Sequence, residues 1–112
     1  MEETKITSLL IRLGVAPDKK GFRYLVQAIR LWGESDEEKP ALGVIYPAVG
    51  EMYGAHWTRV ERNIRRAIDD LGTRVPFEDA VKILGTRAEA YPDGFTNGQF
   101  IALCALRIGG TE

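Results

Sequence analysis

The sequence predicts an all-α fold, a single compact domain of about six helices over residues 1–112. Three observations carry this. Apolar residues return at spacings of three and four along most of the chain, the repeat of a helix face. No alternation of polar and apolar residues runs beyond about four positions, so the pattern of a half-buried strand is missing. Prolines and glycines fall near the ends of the periodic stretches, where helices accept them.

Ile6, Leu9, Leu10 and Leu13 share one face of a first helix, and Gly14 closes it as a C-terminal cap. Asp18, after Pro17, is expected to cap a second helix whose buried stripe is Phe22, Leu25, Val26, Ile29 and Trp32, with Gly33 stopping it. The stretch ESDEEKP then reads as a solvated connector, because its four acids and a proline neither bury nor propagate a helix. Pro47 suits the first turn of a helix that ends at Tyr53 and Gly54. A longer helix takes roughly 57–71, ended by Gly72, and a short one takes 76–84, between Pro76 and Gly85. A loop through Tyr91, Pro92, Asp93 and Gly94 leads to Thr96, which forms a capping box with Gln99. Phe100, Ile101, Leu103, Cys104 and Ile108 lie on several sides of this last helix, so it is expected to be deeply buried.

Composition narrows the classes. At 45% hydrophobic the chain is too apolar for a disordered segment, and its one cysteine, Cys104, cannot close an intramolecular disulfide. A reducing, cytoplasmic setting is therefore expected. The opening MEETKITSLLIRLG has acids where a secretory signal needs bases, and no run approaches the roughly 20 apolar residues of a membrane span. The 15 basic and 16 acidic residues give a net charge of −1, which by itself argues against a general nucleic-acid binder. That neutrality is an average of unlike parts. Residues 1–33 carry six bases and three acids, 34–55 one and five, 56–74 five and three, and 75–112 three and five. Four arginines fall between Arg59 and Arg66, and fields act locally because screening sets in beyond about 10 Å.

The informative stretch is IYPAVGEMYGAHWTRVERNIRRAID. On a wheel of about 100° per residue, Val60, Ile64, Ala67, Ile68 and Leu71 gather on one side and Arg59, Arg62, Arg65 and Arg66 on the other. Ahead of this helix stand Gly50, where two helices must approach closely, Tyr53 facing inward, and Gly54 at a sharp turn. These positions agree with a helix-turn-helix over about 46–72 whose second helix enters the major groove of DNA.

An arginine fork bonds guanine O6 and N7 in pairs, and Asn and Glu can address adenine and cytosine. The base-reading candidates are therefore Arg59, Glu61, Arg62 and Asn63, with His56, Thr58, Arg65 and Arg66 for bases or backbone. Asp69 and Asp70 mark where the duplex is no longer close. The competing reading is an ordinary solvated face, neutralised by Glu61–Arg65, Arg65–Asp69 and Arg66–Asp70 pairs.

The stretch VIYPAVGEMYGAHWTRVERNIRRAI resembles the helix-turn-helix in the C-terminal effector domain of the sporulation-initiation response regulator family of endospore-forming Firmicutes. Two further stretches extend the resemblance over nearly the whole chain. One is ITSLLIRLGVAPDKKGFRYLVQAI near the start; the other is FTNGQFIA near the end, where the family has Pro-Thr-Asn-Ser-Glu-Phe-Ile-Ala. The resemblance implies a six-helix transcription regulator that binds duplex DNA in the major groove and answers to phosphorylation of a receiver domain. It implies base reading by Arg62 and Glu61, with Arg59, Arg65 and Arg66 on the same surface. It also implies homodimers on adjacent sites and, as a further partner, the sigma subunit of RNA polymerase.

The chain departs from the family at three points. No receiver is recognised in it, so it reads as an effector domain alone, either a fragment or a stand-alone relative. Arg66 replaces a usual histidine and Asn63 a usual alanine, which alters the expected DNA preference. The family's basic C-terminal extension is replaced by RIGGTE, which weakens the expected contacts with polymerase or a neighbouring protomer.

Enzyme chemistry finds little support. His56 and Cys104 are the single residues of their kinds, far apart in sequence, and cannot assemble a zinc site. Asp69 and Asp70 point about 100° apart on a helix. No phosphate-cradling glycine motif is present, and Trp32 and Trp57 read as core or rim packing rather than stacking platforms. The expectation is a DNA-binding regulator with no catalytic residues, cofactor, metal or membrane partner. The alternative is a protein-protein interaction module that keeps the helix-turn-helix without binding DNA.

Overall fold

Ile6, Leu10 and Leu13, each at most 1% exposed, anchor the first helix on the core, and Gly14 ends it in the left-handed conformation. The computed structural model describes residues 2–109, and the last three residues of RIGGTE lie outside them. Among the described residues six α-helices follow one another: α1 (Glu3–Leu13), α2 (Lys20–Glu34), α3 (Leu42–Tyr53), α4 (Trp57–Arg74), α5 (Phe77–Leu84) and α6 (Asn97–Ile108). A short 3₁₀ turn, Thr86–Ala90, sits between α5 and α6. No strand occurs among the described residues. The radius of gyration, 12.8 Å, is that of one compact domain of this length.

The centre of the fold is α2. It packs on α4 and α6 and also touches α1 and α3, and Tyr24, Leu25, Val26, Ala28 and Ile29 are all buried, a wider face than one stripe. Trp32 is only half-buried. The α6 capping box forms as expected: the Thr96 hydroxyl accepts from the Gln99 N–H at 3.1 Å and the Gln99 carboxamide oxygen accepts from the Thr96 N–H at 2.9 Å. Phe100, Ile101 and Cys104 of that helix are fully buried.

Five helix ends differ from expectation, each for a local reason. Asp18 does not cap α2: it lies within a turn closed by Lys19 N–H to Ala16 carbonyl, and Lys19 occupies the capping position without a side-chain bond. Gly33 and Gly72 do not stop their helices. A glycine ends a helix by turning left-handed. Gly14 and Gly54 do so, whereas Gly33 and Gly72 keep negative φ inside α2 and α4. The α4 helix runs on to Arg74 and ends at Val75 (φ −114°, ψ 126°), which the following Pro76 holds in extended geometry. Pro76 itself caps α5 from outside, so that helix begins at Phe77.

The α3 helix starts at Leu42, more than a turn before Pro47, which lies inside it. A proline there removes the bond to the carbonyl four residues earlier. That carbonyl belongs to Gly43, an exposed residue, so the missing bond falls on the solvent side rather than in the core and the helix continues.

Candidate nucleic-acid interface

The turn between α3 and α4 depends on two glycines. Gly54 adopts φ 64°, ψ 35°, and the Gly50 carbonyl accepts from the Ala55 N–H at 2.8 Å. A Cβ at Gly50 would collide with the Ala55 carbonyl oxygen, so only glycine lets the chain double back here. Tyr53 is half-buried against Tyr24, with ring centroids 5.6 Å apart, and the Arg23 guanidinium lies 4.9 Å from its ring centre.

The α4 helix begins with a cap from its own sequence. Nδ1 of His56 accepts from the Thr58 N–H at 3.3 Å and lies 3.0 Å from the Thr58 hydroxyl. Both residues, candidates for DNA contact, are thus placed together at the N-terminus of the helix. Trp57, expected in core or rim packing, lies at the rim: it is 43% exposed beside them, its ring centroid 5.7 Å from that of His56.

From there the helix divides largely as the wheel predicts, except that Ala67 and Arg65, expected on opposite sides, are both half-buried. Val60, Ile64, Ile68 and Leu71 are buried, at about 1.5–3 kcal/mol of hydrophobic stabilisation each, and they fix which side faces out. Arg59, Arg62 and Arg66 are exposed, and among the described residues none of their guanidinium groups has an ion pair or hydrogen bond.

The three pairs that would neutralise this face are mostly not made. Arg65–Asp69 forms, at 2.9 Å. Glu61 and Arg65 are not paired. Asp70 pairs with Arg74 at 2.9 Å rather than with Arg66, and Arg74 also donates to the Gly14 carbonyl at 2.6 Å. The two residues of α4 beyond Gly72 supply that competing arginine. The sequence reading missed Arg74 because it ended the helix too early.

The flanks of α4 treat the remaining candidates differently. Arg65 is half-buried and donates to the Phe95 carbonyl at 2.8 Å, so its guanidinium ties α4 to the loop before α6. Glu61 is exposed, while its backbone carbonyl accepts from the Asn97 amide at 3.3 Å. The same amide donates to the Tyr46 hydroxyl at 3.0 Å, so Asn97 joins α6 to both helices of the turn. Burial raises the Tyr46 phenol pKa above 10.0, against the lowering effect of the Asn97 bond; the Glu61 charge adds to the rise and Arg65 opposes it. The Asn97 carboxamide oxygen has no partner. Asn63 lies half-buried on the opposite flank and donates its amide to the Arg59 carbonyl at 2.8 Å.

No group of three or more His, Cys, Asp or Glu side chains among the described residues is placed to hold a metal ion. Cys104 is buried in α6 and its thiol pKa is raised by that burial, whereas His56 is exposed at the turn. No described helix is long and apolar enough to cross a membrane. An exposed arginine face on the second helix of a helix-turn-helix can lie against a polyanion and present planar donors to it. The family model described as sporulation initiation factor Spo0A C terminal matches residues 6–108 of the chain.

Proposed function

The chain belongs to the family of Spo0A C-terminal domains, DNA-binding effector domains of the sporulation regulator, and from that premise we propose that it reads duplex DNA by placing α4 in the major groove. The observation that carries the proposal is the unpaired trio Arg59, Arg62 and Arg66, opposite the face that α4 buries. Arg62 is centred on the exposed side and Arg59 stands a turn nearer the N-terminus, the end that approaches bases in such helices. We assign these two to base edges, with Glu61 and Asn63 beside them in supporting contacts. His56, Thr58 and Arg66 are assigned to the backbone or the outer bases. Arg65 is assigned a positioning role, since Asp69 and the Phe95 carbonyl already engage it. With a net charge of −1, non-specific affinity is weak, so useful occupancy depends on base contacts and on two domains binding adjacent sites.

The test is a fluorescence-anisotropy titration against guanine- and cytosine-containing duplexes and a scrambled control, repeated over a range of salt. Wild-type affinity is expected to fall steeply with salt. Arg62→Ala is expected to cost about 1–3 kcal/mol and to flatten the preference among sequences. Equal weakening on every sequence would reduce Arg62 to a phosphate contact. Absence of binding at low salt would remove the DNA reading and favour a protein-interaction module on the same fold.

A further inference from the structure

On the Asn63 side of the arginine face, α4 is flanked by the first turn of α2. Gly21 approaches so closely that a Cβ on it would stand 2.5 Å from the Asn63 carbonyl oxygen, which fixes the two helices at one spacing. Beside this contact opens a cleft with Lys19, Lys20 and Arg66 on its rim. All three are exposed, and among the described residues their side chains make no ion pair or hydrogen bond. Two carboxylates share the rim, Asp18 and Asp70. Asp70 is taken by Arg74, which leaves Asp18 against three cations. The opposite flank is unlike it: Arg65 is paired with Asp69, and Asp93 lines the cleft beside them.

A helix about 10–12 Å across fills a major groove about 12 Å wide, so whatever flanks a recognition helix meets the sugar-phosphate walls. Lysine is a mobile point charge, suited to phosphate and indifferent to sequence. Resting on the DNA-binding reading above, we propose that Lys19, Lys20 and Arg66 form a phosphate clamp. It holds one strand beside α4, and the domain therefore grips the duplex backbone asymmetrically, more strongly on the α2 side. This gives α2, the central packing helix, a direct part in binding that its position outside the helix-turn-helix does not suggest.

The test uses the whole chain, fluorescein-labelled guanine- and cytosine-containing duplexes of about 20 base pairs as in the titration above, and anisotropy titrations at several salt concentrations. Each phosphate neutralised contributes about 0.9 to the slope of log affinity against log salt. The double variant Lys19→Gln/Lys20→Gln is expected to lower that slope by about 1–2 and low-salt affinity by roughly tenfold or more. The ratio of affinities for two different duplex sequences is expected to stay unchanged. Lys82→Gln, on α5, is the control and leaves the slope as it was. Both lysines of the clamp are exposed, so thermal melts of the variant are expected to match wild type, and the comparison reports binding. Wild type that binds while the double variant keeps its slope overturns the clamp alone. Wild type that fails to bind at low salt overturns the DNA reading and the clamp with it.

Discussion

Replacing Gly21 by alanine adds one methyl group at the closest approach of α2 to α4. The new Cβ would lie 2.5 Å from the Asn63 carbonyl oxygen and 3.0 Å from the Ala67 Cβ. The oxygen belongs to helical backbone and cannot swing aside, so restoring ordinary contact at about 3.4 Å requires the helices to part by roughly 0.9 Å. Overpacking of this kind costs about 1–3 kcal/mol, against a helix-propensity gain of at most about 1 kcal/mol for alanine over glycine. The net expectation is a loss of about 1–2 kcal/mol.

Gly72→Ala is the matched comparison. It lies within α4, keeps negative φ, and has nothing within 4 Å of its added methyl, so only the propensity gain applies, about 0.5–1 kcal/mol. Urea unfolding followed by circular dichroism reads both variants, with thermal melts as a second measure at roughly 4–8 °C per kcal/mol. Gly21→Ala melting at or above wild type would refute the close-packing argument. Gly72→Ala melting below wild type would show that its surroundings are not open.

Three further outcomes follow from the same contacts. Tyr46→Phe removes the hydroxyl that accepts from Asn97 and is expected to cost about 1–2 kcal/mol below pH 10.0. The folded phenol holds its proton more tightly than the unfolded one. Its contribution is therefore whole below 10.0 and is lost as pH rises through the higher folded value; urea titrations into the alkaline range are expected to show this loss in wild type and not in the variant. Cys104, fully buried with its thiol pKa raised, is expected to react with an aromatic disulfide reagent only at the rate of unfolding, and at once in urea. Arg74→Gln frees Asp70 to pair with Arg66 one turn earlier, lowering duplex affinity about twofold, the worth of one exposed helical ion pair. Adding Asp70→Asn restores the affinity if that competition is the cause.

Much of this architecture can be read from local sequence. The Thr96–Gln99 capping box, the left-handed Gly14 and Gly54, and the buried Val60 and Ile64 each follow from residues within a turn of one another. What could not be read depends on distance or on solvent. Whether Gly33 or Gly72 stops a helix is decided by its φ, and Pro47 is tolerated where the bond it removes falls at the exposed Gly43. The fates of the four arginines split for a similar reason. Their clustering on one face is periodicity, but Arg65 is bound by Phe95, thirty positions away, and Arg66 is left free by an arginine beyond the expected end of the helix. Lys19 and Lys20 reach the same surface only because Gly21 brings α2 against Asn63.

The α4 helix is fastened at three places: to α3 through the Gly50 turn, to α2 at Gly21, and to α6 and its preceding loop through Asn97 and Arg65. A helix so fixed has little conformational freedom left to lose when a duplex arrives. Association is then the docking of two preformed surfaces, and the heat-capacity change measured by calorimetry reflects the contact area alone, without the large negative contribution of a segment that folds as it binds.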